Sequence, residues 1–269
     1  MTPERSTPQA LPNPSPIPDG WPAAMKEEGR YGIAGEFLQA VEPYTEADPH
    51  ALITQLHAGF GNLAGRSAHQ MVEKTRHGAN IFVLTVGDTA KARKGTSWEQ
   101  CLDTLRRVDK GWAADRLESG LSSGEGLIAA VRDASNGDPG VSDKRVLFFE
   151  GDFVRTLRAM SRTGNTLSPV VRNSWDGGVL RVTTRHSPLK ATGAHVSIVA
   201  HTTQFELLDN LSRADMWSGF GNRFLFIGAR RSKLLPFGGD APSSVLREIA
   251  GRLKTAAAFA RQVGAMRLS

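Results

Sequence analysis

Residues 81–98, IFVLTVGDTAKARKGTSW, constrain this chain more than any other stretch. The apolar run IFVLTV reads as a buried strand and a loop of small and basic residues follows it. Lys94-Gly95-Thr96-Ser97 then opens a helix. That is the layout of a phosphate-binding loop, in which backbone N–H groups and a helix N-terminus cradle phosphates, a lysine neutralises charge and a hydroxyl holds Mg²⁺. The spacing is irregular. Lys94 follows Gly87 by seven positions instead of six, Ala92 stands near where a second glycine belongs, and Gly95 separates Lys94 from Thr96. Adenylate-kinase-type loops also read Lys-Gly-Thr, so the Gly95 interruption is tolerable. The other reading is a basic, solvated strand-to-helix turn. On the first reading the phosphate-contacting set is Gly87, Asp88, Thr89, Lys91, Arg93, Lys94, Gly95, Thr96 and Ser97, with Thr96, or else Ser97, on the metal.

The rest of the chain alternates short apolar strands with helices. Strands are expected at residues 116–121, 146–149, 180–184, 196–200 and 223–229, with a short one near 71–73. Helices are expected at 126–132, 153–161, 165–175 and 205–211. Pro43 divides residues 35–65 into two further amphipathic helices. Asp48 is placed to cap the second, with Pro49 in its first turn and Leu52, Ile53, Leu56, Phe60 and Leu63 on its buried face. The pattern predicts an α/β fold, a mainly parallel twisted sheet with helices on both faces, preceded by a small helical region. Ligands of such sheets bind beyond the carboxyl ends of the strands, where Gly87, Glu150 and His201 fall.

Seven of the 14 prolines lie in residues 1–22, too many for helix or interior strand. Residues 1–30 are therefore expected as a disordered leader, 31–80 as the helical region and 81–269 as the α/β core. A net charge of +6 and a pI near 9.8 favour a polyanionic partner, nucleotide or nucleic acid. The single cysteine, Cys101, excludes an intramolecular disulfide and a cysteine zinc cluster. No apolar run approaches a membrane span, no signal peptide is recognisable, and a cytoplasmic location is expected. His-rich metal spacing, Gly-x-Ser-x-Gly and Gly-x-Gly-x-x-Gly patterns are all missing, so hydrolase-elbow and dehydrogenase readings have no anchor.

Glu150 closes the apolar run VLFFE, the place of a Walker-B carboxylate that holds Mg²⁺ or polarises the attacking water. Asp152 is near enough to share the task, and a plain loop start is the alternative. His201 ends VSIVAH, where it is either a γ-phosphate sensor or a hydrogen-bonded surface residue. Ser122 and Glu125 have capping-box spacing, with a general base at Glu125 as the other reading. Arg223 enters the last strand and is a candidate arginine finger acting in trans. Arg230 and Arg231 read as a solvated basic turn.

Taken together, YGIAGEFLQAVEPYTEADPHALITQ, NIFVLTVGDTAKARKGTSW, GLSSGEGLI, LFFEGDF, GNTLS, WDGG and NRFLFIGARRSKLLP resemble a family of bacterial and phage proteins. Its members carry a RecA-like P-loop ATPase domain of unassigned function, often attached to primase modules on mobile elements and distantly similar to plasmid RepA and DnaB helicases. The resemblance covers residues 31–269. It implies a nucleoside triphosphatase using ATP and Mg²⁺, acting on single-stranded DNA beside a primase domain or protein, as a homo-oligomeric ring. Within the family the Arg-Lys-Gly-Thr-Ser ending is common, and Ala92 departs from the expected glycine. The resemblance also implies that residues 257–266 begin a helix continuing into further helical elements, so that the core is truncated at its C-terminus. Three readings follow: a DNA-stimulated ATPase of the helicase or primase-helicase type, a nucleotide-dependent DNA-binding or loading module with little or no hydrolysis, and a small-molecule kinase.

Overall fold

The computed structural model describes residues 23, 25–88, 92–135, 137–182 and 189–267. Of the expected leader, residues 1–30, residues 1–22 lie outside the described residues, whereas Glu27–Gly29 form a 3₁₀ turn and Arg30 pairs with Glu42 at 2.7 Å, so order begins before residue 31. The chain opens with α1 (Gly32–Val41) and α2 (Pro49–Ala64). Asp48 begins α2 as its sequence predicts: the carboxylate accepts the His50 N–H at 2.9 Å, and Pro49 follows in the first turn. Leu52, Ile53, Leu56 and Leu63 are buried, with Phe60 packed partly against the same core. A hairpin of β1 (His69–Val72) and β2 (Thr75–Gly78) comes next, in place of the single short strand expected near 71–73. Glu73 turns it at φ 53°.

The central unit then runs through β3 (Phe82–Val86), α3 (Lys94–Val108), α4 (Lys110–Asp115), β4 (Leu117–Glu118), α5 (Gly124–Ala129), β5 (Arg145–Glu150), α6 (Phe153–Met160) and α7 (Leu167–Asp176). A small antiparallel pair, β6 (Leu180–Val182) and β7 (Leu189–Ala191), precedes β8 (His195–Thr202). After these come α8 (Gln204–Asn210), α9 (Arg213–Trp217), β9 (Phe224–Gly228), α10 (Ser243–Gln262) and β10 (Ala265–Met266). Five strands form an all-parallel sheet in the order β4-β5-β8-β3-β9, so the protein is α/β as expected. All eight residues of β8, the central strand, are buried, as befits a strand covered on both faces.

Side chains alternate across this sheet and define two cores. Val83, Leu147 and Val199 pack under α1, α2, α3 and α10. Phe82, Leu84, Val146, Phe148, Val196, Ile198 and Ala200 pack under α5, α6 and α7. Residues 31–80 thus do not stand apart, because α2 lies directly on the sheet. Gly59 lets α2 approach α3 closely: a Cβ there would meet Leu105 Cδ1 at 2.3 Å.

Three expectations are corrected. The cap of α5 is Ser123, which accepts the Gly126 N–H at 3.1 Å. The Ser122–Glu125 capping box therefore does not form, because the residue at its third helical position is a glycine with no carboxylate to reciprocate. Residues 257–262 are the end of α10, and the chain leaves the helix at Val263 to pair β10 beside β1. The strand expected at 223–229 starts at Phe224 and forms an edge, leaving Leu225 and Phe226 exposed. No helix of the described residues is long and apolar enough to cross a membrane.

Candidate functional site

The site is built where β3 hands the chain to α3. The Gly87 N–H donates to Thr202 O (3.2 Å), and the Ala229 N–H to Val86 O (2.8 Å), which fixes the end of β3 between its two neighbours. A side chain cannot replace the Gly87 hydrogen, since a Cβ would stand 2.3 Å from Ala229 O and 2.7 Å from Ala92 Cβ. Ala92, the departure from the expected second glycine, is buried against Gly87 and forms part of the loop's packing. Arg93 adopts the left-handed conformation, φ 51° and ψ 32°, and precedes α3 without capping it by its side chain. Its guanidinium instead pairs with Glu46, a buried carboxylate that also accepts the Leu235 N–H at 2.8 Å. Above Gly95 nothing lies within 4 Å of an added Cβ. The surface of α3 is thus open at Gly95, and no side chain caps its first turn.

Lys94 leans back over this end. Its ammonium donates to Gly87 O at 2.6 Å and Asp88 O at 3.1 Å. Burial pulls its pKa down, and the charges of Glu206 and Asp88 oppose that pull. The two hydroxyls differ. Ser97 is buried and donates to Lys94 O at 2.6 Å, whereas the Thr96 hydroxyl is half-buried and makes no hydrogen bond among the described residues. Thr96 is thus the hydroxyl left for a metal ion. Thr89 and Lys91 lie outside the described residues.

An aromatic stack holds α3 on the sheet: Trp98 lies against Phe149 at 5.1 Å, and Phe149 meets His201 edge-on at 5.2 Å. His201 is not a surface residue. Its Nε2 lies 2.9 Å from Gln55 Nε2, which also donates to Thr85 Oγ1 at 3.0 Å. Burial, with the Lys94 charge adding to it, pushes the imidazole down to about 3, so it is neutral.

Glu150 ends β5 on the opposite face, and its carboxylate accepts the Leu121 N–H at 2.6 Å. Burial raises its pKa, and the Leu121 and Gly120 N–H groups oppose the rise. Glu150 is therefore spent on the loop after β4. Asp152 is exposed at the start of α6, and the Glu125 carboxylate accepts the Thr166 hydroxyl at 3.0 Å. Arg223 sits before β9, at the amino edge of the sheet. It donates to Gly219 O (2.8 Å) and pairs with Asp176 (3.0 Å), so it does not join the Lys94 cluster within this chain. Arg231 is less solvated than its sequence suggests, with its Nε 3.7 Å from Glu46.

Two carboxylates near the loop escaped the sequence reading. Glu206 follows β8 in a complete capping box: its carboxylate accepts the Thr203 N–H at 3.1 Å and the Thr203 hydroxyl at 2.8 Å. These bonds hold its pKa below the ordinary range, and the Lys94 and Arg158 charges add to the effect. The signal was legible as Thr203-Gln-Phe-Glu206 directly after an apolar strand. Glu46 carried no such signal. Among the described residues no group of three or more His, Cys, Asp or Glu is placed to hold a metal ion. A divalent cation would rest on Thr96 and its ligand's own oxygens. Known family models and curated protein sequences give no match to this chain.

Proposed function

We propose that this chain is a RecA-like P-loop protein that binds ATP with Mg²⁺ and hydrolyses it, as a replication-associated helicase or primase-helicase core of a mobile element acting on single-stranded DNA. The observation that carries the reading is Lys94 at the head of α3, whose first turn has no side-chain cap, with its ammonium over the Gly87 and Asp88 carbonyls. The sheet order supports it, because β8 stands between β3 and β5, where the sequence resemblance puts a sensor-bearing strand.

In this mechanism the first-turn N–H groups and Lys94 hold the phosphates, and Lys94 neutralises the β- and γ-oxygens. The Thr96 hydroxyl would hold Mg²⁺, which would supply charge neutralisation at the transferred group. Glu206, fixed by Thr203, opposes the burial that lowers the Lys94 pKa. His201 acts through position: neutral and bonded to Gln55, it carries Phe149 and hence the start of α3. Glu150 reaches the phosphates only by releasing the Leu121 N–H.

That last contact favours a second reading, a nucleotide-dependent DNA-binding or loading module with little hydrolysis. ATP turnover with and without single-stranded DNA, measured beside Lys94→Ala, separates the two. DNA-stimulated turnover that falls at least about 100-fold in the variant supports the motor. Lys94-dependent ATP binding without turnover supports the loading module. Wild-type protein that binds no ATP removes both.

A further inference from the structure

A cleft opens at the carboxyl ends of β4 and β5. Its volume is about 720 Å³, and the loop 119–122, Glu150, Asp152 and the exposed side of α6 line it. The loop is preformed: Gly120 sits at φ 79°, Leu121 is held by Glu150, and Ser122 O accepts the Asn165 amide at 2.8 Å. Arg155 and Arg158 project from α6 on this side, and Arg162 follows in the turn that ends the helix.

All three arginines are exposed, and among the described residues none takes part in a salt bridge. Arg158 is bonded only to the neutral Asn210 amide, at 3.1 Å. Of the two acids in the cleft, Glu150 is turned into the loop, where burial disfavours its ionisation and the Arg155 charge favours it, and Asp152 is exposed, so three guanidinium groups face two carboxylates. At a 1.5 Å rise per residue Arg155 and Arg158 step about 4.5 Å along one side of the helix, and Arg162 lies in the turn beyond its end. A favourable contact with the helix dipole accounts for a cation in the last turn, but not for three facing one cleft.

The geometry points to a binding site for the phosphate backbone of single-stranded nucleic acid, with Arg155, Arg158 and Arg162 each facing a phosphate and the Ser119 and Ser122 hydroxyls along the opposite wall. The assignment rests on the DNA-acting reading above and gives it a location.

The test is fluorescence anisotropy of a labelled oligothymidylate across a salt series, with full-length wild type, R155Q/R158Q/R162Q and an equal-charge control, R106Q/R247Q/R267Q. Binding of a fluorescent ATP analogue is measured on the same samples. Three lost phosphate contacts lower the slope of log K against log salt by about 2, at about 0.7 per phosphate for single strands. The expected result is that slope change with at least a tenfold loss of affinity, only in the cleft variant and with nucleotide binding intact. Equal weakening in cleft and control variants overturns the site, as does a wild type that binds no oligonucleotide. A wild type that binds oligonucleotide through these arginines but no ATP analogue upholds the site and removes the ATPase reading.

Discussion

The two faces of the central sheet are built from different chemistry. Under α5, α6 and α7 the sheet presents Phe82, Leu84, Val146, Phe148, Val196, Ile198 and Ala200, an aromatic and aliphatic surface. Under α2 the same strands present a polar seam. Asn62 Nδ2 donates to Val146 O (2.9 Å), His195 O (3.2 Å) and Ser197 Oγ (3.3 Å), while its Oδ1 accepts the Trp112 indole N–H at 2.8 Å. Seven residues earlier on the helix, Gln55 meets Thr85 and His201. Two turns of α2 thus lie along β8 in the opposite direction, paired at both ends by side-chain amides. The apolar face holds its helices by burial, which is non-directional. The polar face fixes register, because buried hydrogen-bonding groups accept only partners at the right distance and angle. The register-fixed face is the one that carries α3 and Lys94.

Acid breaks this comparison most strongly. Burial pushes His195 down to about 4 and His201 to about 3, and both lie on the polar face. An unfolded histidine titrates near 6.5, so between that value and the folded pKa the unfolded chain binds more protons. The stabilisation is complete above about pH 6.5 and is lost as pH falls through this window. Between pH 7 and 5 the loss is about 2 kcal/mol for each histidine, about 4 together. Urea denaturation at the two pH values measures it, and His201→Gln is expected to halve the difference.

The next test removes the amide anchor. Asn62→Leu keeps a similar volume but strands the indole N–H and several acceptors, at a cost of about 3 kcal/mol or more. A midpoint unchanged from wild type in chemical denaturation removes the register argument. The smallest effect belongs to the other face, where Ile198→Leu, a volume-conserving swap among aliphatic neighbours, is expected to cost less than about 1.5 kcal/mol. If that swap proves as damaging as Asn62→Leu, the two faces do not differ as described.

The polar seam was partly visible in sequence. His195, Ser197 and His201 stand at alternate positions of β8, with Val199 between them, and Gln55 and Asn62 lie seven apart on a helix. A strand-end sensor or surface position for His201 does not anticipate this period, because the apolar residues between 196 and 200 mask the alternation. The helix α2 was legible from Asp48, Pro49 and the spacing of its leucines, yet its place on the sheet was not. Its apolar face is equally compatible with a separate helical region, and only the long-range pairing of Gln55 and Asn62 places it. Glu206 shows the opposite case, a local capping pattern that sequence alone contains.

The sequence by itself determined the α/β alternation, the places of β3, β5, β8 and β9 in the main sheet and the Gly87-to-Ser97 handover from strand to helix. These rest on local periodicity, turn chemistry and helix caps, all of which act within a few residues. Tertiary structure decided the strand order, the burial of His201, the diversion of Glu150 to Leu121 and the distance of Arg223 from Lys94. Each depends on which groups from distant segments meet. A carboxylate at a strand end takes the nearest N–H offered to it, and an imidazole under a helix loses its charge. No window of neighbouring residues contains that information.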